Sequence, residues 1–195
     1  MKKMLALMMA LAMVLSMVAC APANSGETTV GTTEAPVAVP ANAVEILNNI
    51  WALYGDDEKF AIVGGDPADM NMEGPGSWNM SNAANLTYSL LIPEAELANV
   101  DDAASLVHMM NANTFTSGTV HLKDGVNAAT FAATMKDTIM NNPWMCGFPE
   151  RMVIASFGGN YLLIAFGVND AMTPFCQKLA TAYADAAILY DEAIG

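Results

Sequence analysis

Basic residues are scarce in this chain. Seven lysines and arginines stand against twenty acids, a formal charge of −13. Lys2 and Lys3 sit at the very start, so Lys59, Lys123, Lys136, Arg151 and Lys178 alone face all the acids. That balance repels phosphate backbones and acidic headgroups, which excludes nucleic acid as a partner and disfavours charge-driven docking on anionic lipid. Cysteine is equally sparse, with three in the chain, too few for a disulfide scaffold. After residue 20 no apolar run approaches the roughly 18 residues of a membrane-spanning helix.

Short catalytic signatures are also missing. There is no G-x-S-x-G elbow, P-loop, H-E-x-x-H pair or G-x-G-x-x-G leading into a helix. The two histidines, His108 and His121, fall on separate predicted elements, and each is more simply structural than a general base. Asp101-Asp102 stands where acids favour a helix start, so capping accounts for the pair.

What is present begins with a leader. Met1-Lys2-Lys3 is followed by an uncharged apolar stretch from Met4 to Ala19, the pattern of an export signal and too short to span a bilayer. It ends Met17-Val18-Ala19-Cys20. This resembles the lipobox of bacterial prolipoproteins, with Met17 where leucine is commoner. The resemblance implies lipidation of Cys20, removal of a signal peptide at 1–19, and an outer-face membrane anchor, most in keeping with a Gram-positive cell. Two acyl chains hold stably where one is marginal. Ala19-Cys20-Ala21 also fits ordinary A-x-A cleavage, which would release a soluble protein.

Residues 20–42 then form the lipidated cysteine and a flexible linker. Positions 21–41 are rich in Ala, Pro, Thr and Gly and hold no aromatic residue, so they cannot build a core. A flexible chain of that length spans about 25 Å on average. A single domain is expected over 43–195, an ordinary domain size.

Periodicity sketches that domain. Val44, Ile46, Leu47, Ile50, Leu53 and Tyr54 predict a helix ended near Gly55, and 60–64 a strand. Residues 66–82 are irregular, with Pro67, Gly74, Pro75 and Gly76 as breakers. A second strand is predicted over 86–92, a helix over 101–111, a strand over 115–122, and a helix over 127–141 that Pro143 stops. Residues 152–157 and 161–166 read as a hairpin closed by Gly158-Gly159-Asn160, and 170–193 as a final helix. The economical arrangement is an α+β, two-layer sandwich of helices on a mostly antiparallel sheet. Over 109–183, the residues Met109-Met110-Asn111-Ala112, the Lys123-Asp124-Gly125 turn and Gly159-Asn160-Tyr161-Leu162-Leu163-Ile164 resemble a family of uncharacterised Gram-positive lipoproteins. That family implies the fold and no activity.

Chemistry concentrates in the 66–80 loop. Asp69-x-Asn71-x-Glu73-Gly74 matches the first half of a calcium loop, but the twelfth position is Met80 rather than a bidentate acid. Met70, Met72 and Met80, with His108-Met109-Met110, supply soft donors suited to Cu(I). Six of the sixteen methionines lie in the leader, where no metal is bound, so methionine also serves here as a generic hydrophobe. No cofactor, metal or catalytic set is assigned. Cys146 and Cys176 are either a disulfide or two separate thiols. Trp51, Trp78 and Trp144 either line a ligand groove or pack internally.

Two functions remain open. One is a membrane-anchored, non-enzymatic module that binds a small ligand or an envelope protein. The other is an envelope hydrolase or metal-dependent enzyme, with Asp66, Asp69, Glu73 and His108 converging. Structure separates them, since the second needs those four side chains in one cleft. The anchor is tested directly. Cys20→Ser is expected to abolish palmitate labelling and release the protein into the medium, and unchanged membrane retention would count against the anchor.

Overall fold

The computed structural model describes residues 39–110 and 113–195. The predicted leader, Cys20 and the linker through residue 38 lie outside the described residues. Helix α1 spans Ala43–Trp51. Asn42 starts it by accepting the Glu45 amide at 3.0 Å, and the Glu45 carboxylate accepts the Ala41 N–H at 2.7 Å, a reciprocal cap that satisfies two donors. Strands β1 (Ile62–Val63) and β2 (Gly76–Ser77) flank the long loop, and a short helix α2 (Leu86–Ser89) follows. Then come β3 (Val100–His108), β4 (Phe115–Leu122), α3 (Ala128–Met140), β5 (Arg151–Phe157), β6 (Tyr161–Gly167), α4 (Asn169–Ala182) and β7 (Ala187–Ala193).

The strands make one sheet in the order β1-β3-β4-β6-β5-β7, and β2 also pairs with β3. Every pairing among the named strands is antiparallel. The fold is therefore α+β, helices on an antiparallel sheet, as the sequence implies. The helices are divided between both faces, which adds a layer to the expected sandwich. Val153, Ala155, Leu163 and Ala165 pack with α1 and α4, whereas Met152, Ile154, Leu162 and Ile164 pack with Phe131, Met135 and Ile139 of α3. A strand covered on both sides reads as continuous apolar sequence, which is why 152–157 and 161–166 carry so little alternation. Their turn has φ of 70° at Gly159 and 61° at Asn160, the left-handed geometry that tight hairpins need.

Three predicted elements take another form. Residues 86–92 are not a strand. Leu86, Leu90 and Ile92 are buried, and the amides of Leu90 and Ile92 both return to the Leu86 carbonyl at 2.9 and 3.3 Å. Leu91 closes this turn at φ 59°. A Schellman-like stop normally announces itself with glycine, and that signal is absent here. Residues 101–111 are not a helix, because 100–108 form the interior strand β3. The adjacent alanines that suggest a helix face opposite layers: Ala104 joins the α1 cluster, and Ala103 the α3-side core. Asp102 accepts the Ala43 amide at 2.7 Å, and Asp101 bonds His121, so neither acid starts a helix of its own, and Asp102 instead serves the first amide of α1 from the neighbouring strand.

The final helix ends at Ala182, and 187–193 form edge strand β7. Arg151 on β5 holds it with two bonds of 2.7 Å to Asp191. The apolar spacing through Tyr190 satisfies a strand as well as a helix, and only the open edge of β5 decides between them. The 66–80 loop is pulled flat on β3. Ser105 Oγ accepts Trp78 Nε1–H at 3.1 Å and the Gly65 amide at 2.9 Å.

That loop depends on a contact between glycine backbones. A Cβ on Gly64 would lie 2.4 Å from the Gly76 nitrogen and 2.5 Å from the Gly74 oxygen. Backbone cannot step aside as a flexible side chain can. Gly64→Ala is therefore expected to destabilise by about 1–3 kcal/mol, the usual range for overpacking, read as a lower urea midpoint. An unchanged midpoint would show that the loop can lift off β3.

Candidate functional site

The four residues suspected of metal or catalytic work are not brought together. Asp66 is buried, accepting the Ala68 amide at 2.9 Å and the Asn82 side chain at 2.7 Å. These bonds, the Ala68 amide foremost, hold its carboxyl below the usual range. It pins the loop to the segment that begins α2. Asp69 and Glu73 are exposed, and Asn71 turns the loop by accepting the Glu73 amide and donating to the Pro75 carbonyl. Met70 and Met72 point outward, about half exposed, while Met80 packs against the α3-side core. Among the described residues no group of three or more His, Cys, Asp or Glu side chains is placed to hold a metal.

Cys146 and Cys176 are separate free thiols. Cys176 packs with the α1/α4 cluster, and Cys146 lines a groove beside Trp144 and Phe166, residues of the α3-side core. The sheet stands between them. Of the two alternatives the sequence leaves open, the structure holds unpaired thiols.

The end of the sheet at His108 carries two hollows instead. On the α1/α4 side a cleft of about 420 Å³ is lined by Tyr54, Glu58, Phe60, His108, Asp170 and Pro174, among others. Its floor is aromatic. Phe60 stacks on His108 with centroids 4.9 Å apart and planes 10° apart, and meets Trp51 edge-on at 5.4 Å. His108 Nδ1 accepts the Met110 amide at 2.9 Å, which leaves the ring proton on Nε2. Burial pushes its pKa down, so the ring is neutral near pH 7.

Tyr54 forms the inner wall. It is 4% exposed, and its hydroxyl is buried without a hydrogen-bond partner among the described residues. Burial pushes its pKa far up, so the group stays protonated. Leaving a buried hydroxyl unpaired costs about 1–3 kcal/mol. Lys178 Nζ lies 4.4 Å from the Tyr54 ring centre and 2.9 Å from Glu58 Oε1. The Gly55 amide and then Lys178 hold the Glu58 carboxyl below its usual range. Asp170, in the first turn of α4, has no hydrogen bond or ion pair among the described residues.

Comparison with family models, curated proteins and solved structures finds no match. The site's chemistry therefore rests on its geometry.

On the opposite face, cavities of about 170 and 300 Å³ share Tyr88, Ser89, Val107 and Thr116. They form a shallow groove walled by Tyr88, Met110 and Trp144. Trp78 and Trp144 border it while packing with the α3-side core, and Trp51 packs internally behind Phe60. The α1/α4 cleft escapes sequence inspection, because more than a hundred positions separate Glu58 from Asp170. Its aromatic residues look like core. A local hint is the polar run Asp56-Asp57-Glu58 directly beside Tyr54 and Phe60.

Asp66 yields a prediction with a sign. A carboxyl depressed in the folded state contributes stability above its ordinary value of 3.8 and loses it as pH falls through the folded value. Asp66→Asn is expected to lower the urea midpoint near neutral pH, with the gap to the parent closing in acid. A gap independent of pH would show that Asp66 acts by shape alone.

Proposed function

We propose that this chain is an extracytoplasmic lipoprotein, anchored through Cys20, whose domain is a non-enzymatic module that binds a small ligand in the α1/α4 cleft. One observation carries the reading. A cleft of about 420 Å³, within the usual range for small-molecule sites, combines an aromatic floor of Phe60 and His108 with the Asp170 carboxylate, unpaired among the described residues.

Several features support binding over catalysis. No Ser, Thr or Cys is among the residues lining the cleft. Glu58 is committed to Lys178 and the Gly55 amide, and His108 Nδ1 to Met110, so neither is poised to activate a nucleophile. The alternative enzyme on the 66–80 loop required Asp66, Asp69, Glu73 and His108 to converge. Asp66 instead serves the loop, and His108 serves the cleft. The leader and the Met17–Cys20 motif support the address, and the linker supports reach from a membrane.

Thiol labelling tests the address. Lipidation converts the Cys20 sulfur to a thioether, leaving Cys146 and Cys176. Cys146 is exposed, whereas Cys176 is half-buried with its pKa pushed up by burial, and thiolate is the reactive form. A membrane-impermeant maleimide on intact cells is expected to label the protein at one site, lost on Cys146→Ser. Labelling that appears only after lysis would overturn the extracytoplasmic reading.

A further inference from the structure

We propose that the α1/α4 cleft binds a small organic cation, its ammonium beside Asp170 and its apolar body on the Phe60 and His108 rings. This inference rests on the reading of the cleft as a ligand site and names what that site selects. Charge is the first argument. The lining contains two carboxylates, Glu58 and Asp170, and neither lysine nor arginine. Glu58 is already paired with Lys178, so Asp170 is the lining carboxylate left to repel anions and attract a cation. A bare metal ion finds too few ligands, since among the described residues no three suitable side chains cluster. A cation with an apolar body satisfies both Asp170 and the rings, as ring faces attract ammonium groups.

Asp170 is available for that contact. Its carboxylate is exposed and unpaired among the described residues. Pro174 carries no N–H, so the Asp170 carbonyl lacks the α-helical donor it would otherwise receive. Both residues line the cleft, so the first turn of α4 borders it. The α4 N-terminus offsets part of the carboxylate charge, so the rings must share the work.

The protein already uses this chemistry within itself. The Lys178 ammonium sits 4.4 Å from the Tyr54 ring centre and 2.9 Å from a Glu58 oxygen. An ammonium held between a carboxylate and an aromatic face is thus a stable arrangement on this wall. The excess of acids over bases across the chain raises the local concentration of cations.

Proton NMR of the full-length chain in detergent reads the outcome, because the chain has only two histidines. His108 reports the cleft. His121, at the other end of β4 against Asp101 and Tyr161, is the internal control. The probes are phenethylamine and choline, compared with neutral phenethyl alcohol and anionic phenylacetate, each to about 10 mM, above the millimolar limit of weak binding. The two cations are expected to shift His108 saturably with His121 unmoved, and phenethyl alcohol to bind at least about fivefold more weakly. Asp170→Asn should weaken phenethylamine about five- to tenfold while its unliganded spectrum stays native. Equal binding of amine and alcohol, tighter phenylacetate, or an indifferent Asp170→Asn would overturn the cation assignment and leave the cleft a ligand site. No His108 shift from any of the four would overturn both.

Discussion

A sheet covered on both faces has to feed two cores from one set of strands, and that constraint organises everything else in this protein. On β5 and β6, odd and even positions serve opposite layers, so neither strand has a solvent side to mark it. Ile154 and Ile164 pair across the hairpin and face α3, while Ala155 and Leu163 pair beside them and face α1 and α4. Side chains on the α1 face of β3 and β4 must be small where the helix comes close. Ala104 packs under α1, and Thr119 donates to the Ala43 carbonyl at 2.6 Å. Such packing is close to crystalline in density, so the strands' order and the helices' positions are fixed together.

The candidate site is a by-product of where that coverage ends. At the His108 end of β3 neither helical layer reaches the edge of the sheet completely, and hollows open on both faces. Aromatic residues that close the core there, Tyr54, Phe60 and His108, become the walls of the α1/α4 cleft. The start of α4 supplies Asp170, and the turn after α1 supplies Glu58. The other end of the sheet is closed by polar pins, Asp101 to His121 and Asp102 to the Ala43 amide. The two ends thus differ in kind, one stapled and one open.

How far the sequence shows this differs by element. The hairpin at 151–167 and the helix at 128–140 are legible because their cues are local: positive-φ turn residues in one, and in the other the i, i+4 stripe Phe131, Met135 and Ile139 behind Asn127, which accepts the Thr130 amide at 2.9 Å. The strand at 100–108 is hidden by alanines that favour a helix in isolation and by two acids that mimic a cap. The turn at Leu91 is hidden because a leucine occupies a position that glycine normally marks. For the site, the 66–80 loop attracts notice through its oxygen donors. Those donors turn out to fold the loop, as Asp66 and Asn71 do, and the cleft is built from residues that read as ordinary core.

Local chemistry alone determines a good deal of this protein: its excess of acids, the α+β class and the β5–β6 hairpin. Each depends on composition or on neighbours a few positions apart. Tertiary structure decides the rest. Whether 100–108 is helix or strand, whether 187–193 leaves α4 for the edge of β5, which side of the sheet each cysteine occupies, and which residues wall the cleft are all settled by partners distant in the chain. The reason is that burial and strand pairing outweigh local propensities worth a few tenths of a kcal/mol per residue, about the size of the helix preferences that misdirect 101–111.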